Sequence, residues 1–269
     1  MIDCRQHHEV TQFVMGRVVD GRPVYTMACY YVDGLLIDTG PVHVAGEIPA
    51  AFAEFPVHTI VNTHHHEDHI GNNAVFQEKL GVGPALAHEK AVPRIVEPRI
   101  WTGRLRPYQH FVWGAPPPSA ARPIGEEVRT ESYTFRVLHT PGHSDDHICL
   151  LEPERGWLFA GDLFISERAQ SLRSDEDALL ILDSLRRLLE YDFQVLFCGS
   201  GRVVENAREA VAAKIAYWEN LKERAQALYR TGLGPEEIRE RLLGPETTLY
   251  GLTGGDFAKV HLVRSLLRI

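Results

Sequence analysis

The order of apolar and polar positions splits the chain into a strand-rich part and a helical tail. Residues 24–38 hold two β-prone runs joined by Asp33-Gly34, the pair that supplies the positive φ angles of a tight hairpin. Residues 58–62 read as a buried strand, 72–80 as a helix with apolar Ala74, Val75 and Leu80 that Gly81 stops, and 84–87 as extended chain. Further strands are expected at 133–138, 147–151, 157–160 and 194–198. Ser174 with Asp177 forms a capping box ahead of Ala178, Ile181, Leu182, Leu185 and Leu189, which predicts a helix over 175–190. From Val204 to Leu228 apolar residues recur every three or four positions, the stripe of one long amphipathic helix, and two shorter helices follow at 235–243 and 256–267. The expected division is 1–202 for the strand-rich domain and 203–269 for the helical extension.

Between 92 and 124 the prolines crowd at 93, 98, 107, 116, 117, 118 and 123, which predicts a long irregular loop. Such loops serve as lids or binding walls, or cover surface with long side chains. This one holds Trp101, Tyr108 and Trp113, and it sets Arg94, Arg99, Arg104, Arg106 and Arg122 against a single acid, Glu97. Those arginines would suit a carboxylate or phosphate on a small substrate.

Composition narrows the classes. With 44% hydrophobic and 24% charged residues the 269-residue chain is globular rather than disordered. Its 28 basic and 36 acidic residues give a net charge of −8, against a surface built to neutralise nucleic acid or anionic lipid. Cys4, Cys29, Cys149 and Cys198 form no CxxC pair, so neither a zinc knuckle nor a disulfide framework is suggested. No run approaches the roughly 18 apolar residues of a membrane span, and residues 1–10 lack the apolar stretch of a secretory signal. A cytoplasmic protein acting on a small molecule is expected, without nucleic acid or membrane as partner; a homodimer is compatible with this.

The candidate chemistry lies in Thr63-His64-His65-His66-Glu67-Asp68-His69, directly after a predicted strand. Alternate residues of extended chain point the same way, so His64 and His66 can grip one ion while the chain turns to offer Asp68 and His69. Imidazole and carboxylate suit zinc, iron and similar cations. His143, after Thr140-Pro-Gly, and Asp162, after Gly161, are further ligands at predicted strand ends.

Leu36-Ile-Asp-Thr-Gly40, the HxHxDH run of 64–69, Pro141-Gly-His143 and Gly161-Asp162 together resemble the successive motifs of the metallo-β-lactamase fold superfamily, over about residues 24–202. The resemblance implies an αββα sandwich with a metal site at one edge. It assigns His64, His66 and His143 to a first metal, Asp68 and His69 to a second, and Asp162 to a bridge between them; Asp38 would support the site by hydrogen bonds. His65 and Glu67 match no role in the family. The usual histidine after the next strand is replaced by Ser200, so weaker filling of the second site is expected, with His110, His139 and His261 as candidate replacements.

One or two divalent ions are therefore expected, zinc first, with iron or manganese as alternatives. The implied chemistry is hydrolysis by metal-bound hydroxide, oriented by Asp68, of a small ester, thioester or lactone that is anionic, as in the glyoxalase II-like and thioesterase-like members with helical tails. The alternatives are a mononuclear iron oxygenase of the persulfide dioxygenase type, using His64, His143 and Asp162, and a metal-binding fold without catalysis.

Overall fold

The computed structural model describes residues 1–269. Two mixed sheets face each other and helices cover their outer sides, the αββα arrangement. The first sheet runs, in spatial order, Ile2–His7, Val10–Met15, Met27–Val32, Leu35–Ile37, Thr59–Val61, Ala85–Ala87 and Ala121–Pro123, antiparallel through the first four strands and parallel thereafter. The second runs Glu127–Arg129, Thr134–His139, Ile148–Glu152, Trp157–Phe159, Val195–Phe197 and Val203–Val204, with one parallel pairing, between Trp157–Phe159 and Val195–Phe197.

Side chains alternate across both sheets. Leu35 and Ile37 point inward against Val61, Phe159 and Phe197, whereas Leu36 turns outward to Ile48, Phe52 and Phe76. Ile148 and Leu150 fill the space between the sheets, whereas Cys149 and Leu151 pack towards the helix Ala178–Leu188. Because both faces of each sheet are covered, these strands read as unbroken apolar runs. Each buried Leu, Ile or Phe contributes about 1.5–3 kcal/mol, so sheets and helices stabilise each other.

The expected hairpin forms from Met27–Val32 and Leu35–Ile37, turning through Asp33 at φ +48° and Gly34 at φ +81°. The preceding hairpin, Ile2–His7 with Val10–Met15, escaped the sequence reading because its edge strand, IDCRQH, is mostly exposed and polar. The proline-rich stretch departs from expectation. It contains three short helices, Val92–Val96, Arg99–Thr102 and Pro107–Val112, and the strand Ala121–Pro123. Its prolines stand where helices tolerate them: Pro93 and Pro107 in a first turn, Pro98 at the N-cap. The capping expectation also moves, since Asp177 itself caps Ala178–Leu188 by accepting from the backbone of Leu179 and Leu180.

The tail forms Ala207–Arg230, Pro235–Leu243, Thr248–Leu252 and Lys259–Leu267. Its apolar stripes share one core of 29 buried residues with the second sheet, from Cys149 to Leu266. No helix is long and apolar enough to cross a membrane.

Candidate metal centre

Every residue of the centre follows the C-terminal end of a strand, and the parallel pairings bring those ends level. Ile37 lies opposite Val61, which sets Asp38 beside the start of the histidine run. Phe159 lies opposite Phe197, which sets Gly161-Asp162 beside Gly199-Ser200. The Ile148 N–H donates to the Thr63 carbonyl (2.8 Å) and ties the two sheets together at this point. The chain bends at Thr63-His64, is extended at His66, then turns into the short helix Glu67–Ile70, so Asp68 and His69 face the centre from a different direction.

Three imidazole nitrogens converge first. His64 Nε2 lies 2.9 Å from His66 Nδ1 and 3.2 Å from His143 Nε2, and His143 Nε2 lies 3.0 Å from His66 Nδ1. Burial and neighbouring positive groups hold His64 and His66 well below the ordinary imidazole range, so both are neutral. His64 Nδ1 is engaged by Thr63 Oγ1 (3.0 Å) and His143 Nδ1 by Glu176, which leaves their Nε2 lone pairs turned on one another. Three lone pairs aimed at one point cannot satisfy each other; a cation between them does.

His64, His69 and Asp162 form a second grouping. His69 Nε2 is buried without a hydrogen-bond partner, 3.5 Å from Asp162 Oδ1 and 3.7 Å from Asp68 Oδ2. Asp162 Oδ2 lies 3.7 Å from His143 Nε2, so the two oxygens of one carboxylate reach towards the two groupings. Although burial opposes charge, Asp38, Asp68 and Asp162 push the His69 pKa up, and His69 and His143 hold Asp162 below the usual carboxylate range. Burial raises Asp68. The donor set, the orphaned His69 nitrogen and the crowding of carboxylates all fit one or two divalent cations.

Around this centre the supports are specific. Asp38 accepts from the Thr63 N–H and Thr63 Oγ1, each at 2.8 Å, and lies 2.7 Å from His69 Nδ1. Gly199 is required by close approach, since a Cβ there would sit 2.2 Å from Asp162 Oδ1 and 3.0 Å from His69 Cε1. Ser200 contacts Cys198 Sγ at 3.1 Å. None of the candidate replacements reaches the centre. His139 stacks on His88, His261 bonds the Gly255 carbonyl (3.0 Å), and His110 is exposed on the helix Pro107–Val112.

A cavity of about 370 Å³ opens above the centre, with His66, Asp68, His143 and Asp162 in its floor. Tyr108, Phe111, Val112 and Trp113 form part of its wall, so the 92–124 stretch does reach the site. Its five arginines do not: none lines the cavity. Arg94 pairs with Asp145 and Arg106 with Asp256 (2.9 Å), so the expectation of an anion subsite there is corrected. The two cations in the wall are Arg173, beside Asp175 and Asp256, and Lys214 from the tail, bonded to the Leu163 carbonyl (3.1 Å).

The motif residues left without a role now have structural ones. His65 Nδ1 meets Asp146 (2.8 Å) and its ring stands edge-on to Trp101, while buried Glu67 accepts from Gln109 Nε2 (2.9 Å) of Pro107–Val112, the lid helix over the cavity wall. Sequence reasoning missed Glu176 and His147. Glu176 lies 33 residues beyond His143 in an ordinary acidic run. His147 was visible as the second histidine after Pro141-Gly142; buried, it stays neutral, its pKa lowered to about 3, and it accepts from the Asp162 N–H (3.2 Å).

The family model described as the metallo-beta-lactamase superfamily matches residues 28–200. Among curated proteins, a beta-lactamase-like protein 2 homolog of Drosophila melanogaster is 31% identical, over 69% of this chain and 59% of its own. An atrochrysone carboxyl ACP thioesterase of Aspergillus fumigatus is 27% identical, over 67% of this chain and 51% of its own. The chain thus spans little more than half the length of these relatives. A solved metallo-beta-lactamase family protein of Thermus thermophilus superposes with a TM-score of 0.67 at 21% identity, covering 96% of this chain and 93% of that one, a likeness of fold.

Proposed function

The chain belongs to the metallo-beta-lactamase superfamily, and from that footing we propose that it is a metal-dependent hydrolase of small ester, thioester or lactone substrates. The observation that carries this reading is the convergence of His64, His66, His69, His143 and Asp162, three of which, His66, His143 and Asp162, lie in the floor of a cavity sized for a small organic molecule. A divalent ion held there supplies Lewis acidity to a scissile carbonyl and makes water acidic enough to ionise near neutral pH.

The chain's own residues supply orientation and proton handling. Asp38 and Glu176 fix the His69 and His143 rings with their lone pairs facing the centre. Asp68, in the cavity floor 3.7 Å from His69 Nε2, is placed to accept the proton of the attacking water and return it to the leaving group. The oxygen of water joins the acyl carbon, the bond to the leaving sulfur or oxygen breaks, and the departing thiol or alcohol takes the proton. A thioester is favoured among these by the curated relatives named as atrochrysone carboxyl ACP thioesterases.

The test is turnover of a panel of thioesters, esters and lactones by protein purified without chelators. Hydrolysis should vanish on chelation, return with zinc, iron or manganese, and be lost in His64→Ala and His143→Ala. Absence of turnover on the whole panel with each metal would overturn the reading. A second reading, a mononuclear oxygenase with a single iron on His64, His143 and Asp162, is supported by one observation: Ser200, in the place of the usual histidine, is turned on Cys198 Sγ at 3.1 Å. Oxygen uptake with a persulfide separates the two.

A further inference from the structure

Thirteen large hydrophobic side chains are exposed on this protein, and five of them stand around the cavity above the metal centre: Val24, Tyr25, Phe111, Ile165 and Leu252. They are 39% to 76% exposed, and every lining residue that is exposed belongs to this set. They come from four separate places: the approach to Met27–Val32, the lid helix, the turn after Asp162, and Thr248–Leu252 of the tail. Isolated exposed apolar residues need no explanation, but five gathered on one cavity, an apolar collar, do.

Over the whole cavity, collar and floor included, 16 of the 29 lining residues are hydrophobic. Of the nearby cations, Arg17 lies outside the lining and stacks on the Phe111 ring at 4.4 Å, and the two in the wall are already engaged. Arg173 faces Asp175 at 3.1 Å and Asp256 at 3.8 Å, and Lys214 is buried on a carbonyl with the Trp218 ring 4.7 Å away.

We infer that the substrate carries an apolar acyl body that runs from the metal centre up the wall to the collar, with its reacting carbonyl as the polar end. This rests on the hydrolase reading for the reaction, but not for the binding. It replaces the anionic small substrate expected from the loop arginines by a neutral, hydrophobic acyl ester or thioester. The helix Pro107–Val112 and the tail each contribute apolar surface to this mouth, which an apolar occupant would remove from water.

The test has a binding arm and a kinetic arm. The neutral fluorophore N-phenyl-1-naphthylamine should bind the wild-type protein saturably and be displaced by decanamide at least tenfold more effectively than by butanamide. Leu252→Ser and Phe111→Ser, both surface changes, should each weaken that displacement several-fold. In the kinetic arm, kcat/KM for neutral N-acetylcysteamine thioesters should rise at least tenfold from acetyl to octanoyl, and both variants should reduce the octanoyl-to-acetyl ratio. Equal displacement by both amides, or a flat acyl-length profile, overturns the inference. A concentration-dependent dimer that Leu252→Ser dissociates, with no fluorophore bound, would also overturn it and give the collar to self-association. If no thioester of any length is cleaved, the hydrolase reading fails while the displacement titration still decides the collar.

Discussion

Asp38 Oδ2 lies 2.7 Å from His69 Nδ1, and the same carboxylate is locked by the backbone and hydroxyl of Thr63. Asp38 sits at φ +63°, in the left-handed region, at the end of Leu35–Ile37. The contact fixes the His69 tautomer, leaving Nε2 as the free lone pair at the centre. Asp38→Ala should therefore reduce metal affinity about 10- to 100-fold, measured by competition with a chromophoric chelator, while the far-ultraviolet spectrum stays native.

Gly199 has a different duty, that of giving room. A methyl group there would meet Asp162 Oδ1 at 2.2 Å, so the turn or the carboxylate must shift. Gly199→Ala should cost about 1–3 kcal/mol of stability and lower the metal content of purified protein. Native thermal unfolding together with full metal content would contradict this.

Ser200 lines the cavity and contacts Cys198 Sγ at 3.1 Å, with no imidazole at this turn. Ser200→His should strengthen binding of a second equivalent of zinc at least tenfold, seen in calorimetric titration as a new tight step. An unchanged isotherm would mean that the backbone at this turn does not aim the side chain at the centre.

Lys214 is fully buried, and desolvation lowers its pKa to about 8 from 10.5. Below pH 8 both folded and unfolded chains hold the proton, and the penalty on the fold is complete. Between about 8 and 10.5 the unfolded chain binds more protons than the folded one, so the Lys214 contribution to stability rises with pH. Lys214→Met should thus be more stable than wild type at pH 7, by up to about 3 kcal/mol, with the gap closing towards pH 10.5. Denaturant unfolding of both proteins after chelator treatment, at several pH values, measures it; a gap independent of pH would refute the assignment.

Asp256 joins the lid to the tail, accepting from Tyr108 OH at 2.6 Å and pairing with Arg106 at 2.9 Å. Asp256→Ala leaves two donors on Pro107–Val112 and its N-cap without their partner, a loss of about 2 kcal/mol. Cleavage by dilute protease should then concentrate within residues 99–113, and KM should rise more than kcat falls. Unchanged proteolysis would show that Gln109 on Glu67 holds the lid alone.

The order of residues along the chain determined the ligand types and much of the architecture. Alternation and turn residues located the Asp33-Gly34 hairpin, and the spacing of His64, His66, Asp68 and His69 placed four donors on one short segment, because local geometry follows from local sequence. Proline density misled at 92–124, since a proline in a first turn and one inside a helix look alike until the helix start is known. Only the tertiary structure could decide which side chains meet across long intervals: Asp38 with His69, Glu176 with His143, Gln109 with Glu67, Asp256 with Arg106. It also turned the loop arginines away from the cavity and gathered the apolar collar from four distant segments. Pattern in a chain records what each residue's neighbours in sequence require, whereas a site is made by strand ends and helices brought level through packing, and that registration is written nowhere in any one segment.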